Sequence, residues 1–390
     1  MDFSTTRFNN WLSRAPRRLD LSRAQYLLSG SNALVTGGGG SIGAALTRAL
    51  CGLGSRGVAS LDASEHALAN LLATARDPER ARICEVIANV REPDRIHDVV
   101  RRTAPDVVFH AAALKHVHLG DRHPTECILT NLVGVKNVLD AATAHGAPLF
   151  VFVSSDKAAA PTSVMGACKR LAELYIQGRN VACAGPRAIS VRFGNVLGSQ
   201  GSVVEIFERQ IAAGGPVTLT HRHMQRYFMS IDEAVGLILL AASLGVQSTA
   251  PTSYLLDMGA PVKILHLAQR MIAASGRDIE IVETGVREGE KFDEELYDEF
   301  ETLNHTDVEG LLAIRSHASR APTDNEIDQL EAIARQGDET GARTAVFQLL
   351  NDCLGSNARA ETSGRDFGAL EPLQKRAAGG ARRARDRHVD

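Results

Sequence analysis

The run NALVTGGGGSIG, Asn32 to Gly43, decides the fold. Its first five residues are a short strand-like segment, glycines follow at Gly37, Gly40 and Gly43, and an apolar helical spacing takes over across 42–51. A G-x-x-G-x-x-G loop between a strand and a helix lets the chain turn tightly and lets a pyrophosphate approach the backbone. It also aims the N–H groups of the helix N-terminus at the phosphates. Thr36, Gly37, Gly40, Ser41, Ile42 and Gly43 are therefore the expected dinucleotide cradle. About twenty residues further on, the next strand-like run closes on Asp62, where a carboxylate accepts hydrogen bonds from an adenosine ribose and repels a 2′-phosphate. That favours NAD over NADP, with Arg56 upstream as a cation that can complicate the preference. An isolated Asp at such a place would read as a solvated turn residue.

Outward from this loop, short β-branched runs alternate with longer helical segments. Residues 32–36, 57–62, 83–90, 107–112, 149–154 and 188–196 read as strands, and 42–51, 124–145 and 164–178 as helices. The alternation predicts an α/β fold, a doubly wound parallel sheet covered on both faces. After residue 197 the order turns mixed, with helices over 203–213, 231–244 and near 263–275 and short strands at 253–257 and 280–283. This predicts a smaller mixed α/β C-terminal lobe that closes over the strand ends and binds substrate. The expected organisation is an N-terminal arm over 1–30, a dinucleotide-binding core over 31–197 and a lobe, interleaved with the core, over 198–300. A helical extension follows over 301–354, with Ile327, Leu330, Ile333 and Ala334 on one face of its first helix, and then a disordered Arg-, Gly- and Ala-rich tail over 355–390.

At 390 residues and 44% hydrophobic content, the chain suffices for one large or two ordinary domains with a sizeable core. A formal charge of −3 gives no electrostatic case for nucleic acid. The cysteines at 51, 84, 127, 168, 183 and 353 show neither a CxxC pair nor metal-ligand spacing, so they read as small buried hydrophobes in a reducing compartment. Neither a metal nor a disulfide framework is suggested. The N-terminal MDFSTTRFNNWLSRAPRRLD lacks an apolar signal core, and the longest apolar run, 234–246, falls short of the roughly 20 residues a bilayer requires. A cytoplasmic protein is expected. Trp11 among Arg7, Arg14, Arg17 and Arg18 reads as an arm packed on the domain or on a second subunit, ahead of a membrane-surface element.

The run SSDKAAAPTSVMGACK, Ser154 to Lys169, follows the fifth strand. Asp156 and Lys157 thus fall at the carboxyl edge of the sheet, where open α/β folds place their ligands, although an ordinary surface loop would look the same. Met165 lies four residues before Lys169 on one helix face. In short-chain dehydrogenase-like enzymes a Tyr at that position takes and returns a hydroxyl proton, and Met has none to give.

Four further segments narrow the class: HAAALKHVHLGDRHPTECILTNLVGVKNVLDAA (110–142), SSDKAAAPTSVMGACKRLAELY (154–175), VRFGNVLGSQGSVVEIFERQIAAGGPVTLTHRHMQRYFMSIDEAV (191–235), and LLDMGAPVKILHLAQRMI with VREGEKFDEEL (255–272, 286–296). Together they resemble the CapD-type polysaccharide-biosynthesis family of the extended short-chain dehydrogenase/reductase superfamily, nucleotide-sugar 4,6-dehydratases acting mostly on UDP-N-acetylglucosamine. The resemblance covers roughly residues 15–350 and implies a Rossmann-type core, NAD, a UDP-sugar substrate and a homo-oligomer. Many members carry Met in place of Tyr, so Met165 fits. The N-terminal membrane domain of many relatives is absent from this sequence, which implies a soluble catalytic unit. Ala88-Asn89-Val90-Arg91-Glu92 stands where the family has GDVRD, so an adenine contact normally made by Asp comes from Asn89 or is lost.

By the resemblance, Asp156 is the acid for the C6 hydroxyl of the hexose and Lys157 the base at C5. A base lysine must be partly neutral, through desolvation or a nearby cation such as Lys169. Lys169 itself would bond the nicotinamide ribose, Ser155 would donate to the C4 oxygen, and Met165 would touch substrate without taking part in the chemistry. The C4 hydroxyl proton goes to Asp156 or a bound water. Asn89, Val90, Ala111, Ala112 and Ala113 complete the cofactor site, and Asn131 orients the cofactor loop. Lys115, Asn195, Arg226, Arg287 and Glu290 are the substrate contacts, the segment 287–291 fitting a diphosphate and uridine clamp. His116 reads equally well as a structural histidine. Three functions compete: a dehydratase converting UDP-N-acetylglucosamine to a UDP-4-keto-6-deoxy-N-acetylhexosamine, a UDP-sugar 4- or 5-epimerase, and a catalytically silent nucleotide-sugar-binding protein. Met165 favours the last, and the joint presence of Asp156, Lys157 and Lys169 opposes it.

Overall fold

A computed structural model describes residues 11, 14, 17–182, 185–247, 252–286 and 289–355, the side chain of residue 247 excepted. Six parallel strands form the core: β1 (Asn32–Thr36), β2 (Gly57–Asp62), β3 (Ile83–Ile87), β4 (Val107–His110), β5 (Leu149–Val153) and β6 (Arg187–Arg192). They lie in the order β3-β2-β1-β4-β5-β6, a Rossmann-type doubly wound sheet. The chain reverses its direction of advance between β1 and β4, so Thr36 and His110, in register at the carboxyl ends, bound the crevice where such sheets bind ligands.

The alternation of side chains across the sheet explains why β5 is apolar throughout and β4 is apolar up to His110 at its carboxyl end. Val108, Phe150 and Phe152 enter the core on one face, while Val107, Phe109, Leu149, Val151 and Val153 enter the core on the other. The first face is covered by helices Pro93–Thr103, Gly134–Ala144 and Val164–Val181, the second by Ser41–Gly52 and Ile231–Gln247.

Several boundaries differ from the sequence reading, each for a local reason. β3 stops at Ile87 because Asn89 turns the chain, its side-chain oxygen and its carbonyl accepting from the backbone N–H groups of Arg91 and Glu92. The run 188–196 breaks at Phe193-Gly194, and Asn195–Val196 leaves the main sheet to pair with Phe228–Met229. The helix expected over 124–145 is three pieces, Pro124–Ile128, a π turn Leu129–Val133 and Gly134–Ala144. Inside the π turn the buried Asn131 amide exchanges two hydrogen bonds of 2.8 Å with the backbone of Leu114.

The largest departure lies in the expected helical extension. Glu301–His305 and Leu311–Ser316 form an antiparallel hairpin that joins strand Ser253–Leu256 beside β6 and brings the sheet to nine strands. Only Asp324–Arg335, opened by a Thr323/Glu326 capping box, and Glu339–Leu354 are helical, and their Ile327, Leu330, Val346 and Leu350 pack with Leu171 and Leu174. The lobe has its own apolar cluster, including Val204, Phe207, Val217, Phe228, Leu267 and Met271, against which Trp11 packs. Arg14 and Arg17 tie the arm down through Glu233 and Asp257. Cys51, Cys127, Cys168 and Cys353 are buried free thiols, whereas Cys84, on the edge strand β3, is exposed, contrary to expectation. The tail beyond Gly355 and Arg287 lie outside the described residues, among which no helix is long and apolar enough to cross a membrane.

Candidate active site

The glycine loop is held where side chains have no room. Gly37 has φ +66°, and a Cβ on it would stand 2.6 Å from the Ala112 nitrogen. A Cβ on Gly43 would fall 2.0 Å from the Gly37 carbonyl oxygen, so the first turn of helix Ser41–Gly52 rests directly on the loop. Asp62, at the end of β2, accepts from Gly39 N–H at 3.0 Å and from Ser64 N–H at 2.9 Å, which sets its carboxylate against the same loop. A cradle that a side chain would fill, a helix N-terminus and a carboxylate beside it suit a dinucleotide.

Around this cradle the other cofactor candidates take varied positions. Ala111, Ala112 and Ala113 follow β4 and are half-buried, and Val90 is buried under Gly134. Asn131 shapes the β4 loop from inside the core. The lobe reaches the cradle through Gln200, whose N–H donates to Ser41 Oγ at 2.9 Å and whose carbonyl accepts from Lys115 Nζ.

Behind the crevice lies a polar chain that the sequence did not reveal. His110, fully buried, bonds Thr36 Oγ1 through Nδ1 at 3.0 Å, and its Nε2 has no partner among the described residues. Burial, aided by Lys169, pushes its pKa down to about 3, so the ring is neutral. Lys169 donates to the Val153 carbonyl at 2.9 Å and lies 4.5 Å from the centre of the Phe152 ring. Burial lowers its pKa to about 8, with Cys127, Glu173 and Cys168 offsetting part of the fall. Met165, one turn earlier, is 3% exposed within the apolar core and is not among the residues lining the cleft.

The carboxyl edge of β5 carries the most reactive grouping. Ser155 Oγ donates to Asp156 Oδ1 at 3.0 Å, so this hydroxyl is turned toward Asp156. Asp156 is 1% exposed; Oδ1 also accepts from Lys157 Nζ at 3.0 Å, and Oδ2 has no partner among the described residues. Lys157 Nζ has a second carboxylate at 3.4 Å, Glu294 of the lobe. Burial works against the Lys157 charge, but Asp156 and Glu294 outweigh it and hold the ammonium above the usual lysine range. This corrects the expectation of a Lys157 lowered by desolvation or by a cation such as Lys169: of the two lysines, Lys169 is the one lowered.

Lys157, Glu294, Asn195, Arg226, Glu290, His116 and His118 line a cleft of about 910 Å³, including its open mouth, between core and lobe. Arg226 is mostly committed to the lobe: it donates to the carbonyls of Gln225, Phe292 and Lys291 and meets Glu290 at 3.4 Å and Glu294 at 3.5 Å. Its first role is thus to shape the 290–294 segment. Beneath Ser154 a buried network of Arg170, Glu173, Arg192 and Glu301 joins the long helix, β6 and the edge hairpin. Ser154 donates to Glu173 at 2.6 Å, and Asp298, beside Arg170, accepts from the N–H of Ala160.

A dinucleotide cradle facing a polar cleft across the carboxyl edge of a Rossmann-type sheet defines a dinucleotide-binding α/β protein whose candidate substrate site is that cleft. The chain belongs to the polysaccharide biosynthesis protein family, whose sequence profile matches residues 33–316. It is similar to the probable polysaccharide biosynthesis protein EpsC of Bacillus subtilis, 41% identical over 290 residues, 73% of this chain and 48% of that one. The chain therefore spans about half the length of such relatives. Two relatives carry named reactions. A UDP-N-acetylglucosamine 4,6-dehydratase (inverting) of Campylobacter jejuni is 33% identical over 226 residues, 55% of this chain and 64% of that one. A UDP-glucose 4-epimerase of Rickettsia akari is 35% identical over 230 residues, 58% and 66% respectively. Among solved structures, Pen from Bacillus thuringiensis aligns with a TM-score of 0.69 at 30% identity, over 79% of this chain and 98% of that one.

Proposed function

We propose that the chain is an NAD-dependent nucleotide-sugar 4,6-dehydratase acting on UDP-N-acetylglucosamine, with Asp156 and Lys157 as its acid and base. The main support is the buried ion pair itself: an Asp with one oxygen that has no partner among the described residues, bonded at 3.0 Å to a lysine in the cleft wall. Bound NAD supplies a hydride acceptor for C4 and a hydride donor for C6 within one turnover. Thr36, Gly37, Gly40, Ser41, Ile42 and Gly43 would hold its pyrophosphate, Asp62 its adenosine ribose, Asn89 and Val90 its adenine, and Lys169 its second ribose.

The chain's own part is proton handling. Oxidation at C4 releases the hydroxyl proton to a bound water, and the ketone acidifies the C5 proton, which neutral Lys157 takes and later returns to C5. Protonated Asp156 gives its proton to the C6 hydroxyl, which leaves as water, and regains one from the bound water. One proton moved from the Lys157 ammonium to Asp156, across the 3.0 Å bond, produces both required forms at once. Asn195 and Glu290 face the sugar nucleotide from the cleft wall. Arg287 remains a candidate for the diphosphate.

The named epimerase relative keeps a UDP-sugar 4-epimerase as the second reading. Incubation with UDP-N-acetylglucosamine and NAD, read by mass spectrometry, separates the two. Loss of one water supports the dehydratase; unchanged mass with altered stereochemistry replaces it by an epimerase, and no change leaves a silent binding protein.

A further inference from the structure

Glu294 lies in the segment 286–296 but has no role among the site residues read from the sequence, yet its side chain is 6% exposed in the cleft wall and touches Lys157. Its Oε1 stands 3.4 Å from Lys157 Nζ and 3.5 Å from Arg226 Nε. We propose that Glu294 is a positioning residue that governs the protonation of Lys157 from the lobe, with Arg226 competing for the same carboxylate oxygen. This rests on the reading of Lys157 as the C5 base.

The geometry gives the two cations unequal freedom. Arg226 is fixed by backbone carbonyls at 2.7, 2.8 and 2.9 Å, so it cannot follow Glu294. The single oxygen Oε1 of Glu294 lies between the two cations, at 3.4 Å from one and 3.5 Å from the other, so a small displacement that tightens one contact loosens the other. Turned to Lys157, it keeps the proton on the amine; turned to Arg226, it leaves Asp156 as the sole carboxylate on Lys157 and eases the transfer to Asp156. Base action at C5 needs the neutral amine, and returning a proton to C5 needs the ammonium, so the swing of one lobe carboxylate matches both halves of the reaction.

The other charged groups nearby do not replace it. Glu290 pairs with Arg226, Lys291 with Glu295 and the Ala159 carbonyl, and the cleft-lining His116 is itself biased toward neutrality, by burial first and then by Lys115 and His118. Asp156 and Glu294 together raise the Lys157 pKa against its burial, while Arg226 lowers it.

The test is the pH profile of Lys157 acetylation by acetic anhydride, read by peptide mass spectrometry on the full chain, for wild type, Glu294→Gln and Glu294→Asp. Glu294→Gln should acetylate about tenfold faster at neutral pH, its profile moved to lower pH, because one opposite charge has gone. Glu294→Asp, which keeps the charge, should lie near wild type and guards against a folding defect. Profiles that coincide for wild type and Glu294→Gln, or that move equally for both variants, overturn the proposal. The readout needs no turnover: a shifted profile without water loss rejects the dehydratase and keeps the control of Lys157, whereas water loss with an unshifted profile does the opposite.

Discussion

Glu173→Ala removes a charge from the centre of the ionic network that lies under the catalytic strand. Glu173, fully buried, accepts from Ser154 Oγ at 2.6 Å and from Arg192 Nε at 2.8 Å, and it faces Arg170 at 3.4 Å. Without it, two buried guanidinium groups share Glu301, with Asp298 3.7 Å from Arg170 as the remaining counter-charge. Stripping one partner from a buried ion pair costs about 3–5 kcal/mol. The Ser154 hydroxyl also loses its acceptor, for about 1 kcal/mol more. Against a total stability of about 5–15 kcal/mol, that is about a quarter or more of what holds the domain together. Equilibrium urea unfolding followed by circular dichroism should show a midpoint lowered by more than about 1 M, given slopes of about 1–3 kcal/mol per molar. Glu173→Gln, which keeps the shape and a hydrogen-bond acceptor, should fall between. A loss under about 1 kcal/mol for Glu173→Ala would refute the reasoning, since the network would then be exchanging its charges with water.

Three further outcomes follow from the cofactor side. Gly43→Ala places a methyl 2.0 Å from the Gly37 carbonyl oxygen, so NAD affinity measured by calorimetry should fall at least about tenfold; unchanged affinity would put the cradle elsewhere. Asp62→Ala should weaken NAD binding by about 1.5–3 kcal/mol and erode the preference over NADP, and a wild type that binds NADP as well as NAD contradicts the assignment. Lys169 has a pKa of about 8, below its ordinary 10.5, so between those values the unfolded chain holds the extra proton. Stability of the NAD-free protein should therefore rise with pH across that window, by up to about 3 kcal/mol, and Lys169→Met should flatten the rise. Identical pH dependence in the two proteins would count against the buried lysine.

What was legible in the sequence is what local sterics dictate. The β1–loop–helix unit could be read because Gly43 answers to Gly37 within a few residues, and β4 and β5 because burial on both faces leaves every position but His110 apolar. The hairpin of Glu301–His305 and Leu311–Ser316 was hidden because its first strand, ETLNH, is mostly polar, although Gly310 at φ +84° marked a turn. Arg170 and Glu173 stand at i,i+3 with nothing local to mark them as buried, and the approach of Arg192 and Glu301 makes them core. The direction of the Lys157 pKa follows from Asp156 first and then from Glu294, and the second of these reaches Lys157 only through the fold of the lobe. Met165 was placed against substrate, whereas packing draws it into the core.

In the proposed mechanism the acid–base work of the absent Tyr passes to Asp156 and Lys157, and turnover of UDP-N-acetylglucosamine with NAD in deuterated water tests that transfer. Wild type should release a dehydrated product carrying solvent deuterium at C5. Lys157→Ala should lose that deuterium while oxidation at C4 still reduces the bound nicotinamide. Asp156→Asn should block water loss, because an amide cannot protonate the departing hydroxyl. Each loss should be a factor of roughly 10²–10⁴, well beyond a packing defect, whereas Met165→Leu should keep much of the activity. Dehydration near the wild-type rate in both Asp156→Asn and Lys157→Ala, with deuterium still entering at C5, would contradict the account.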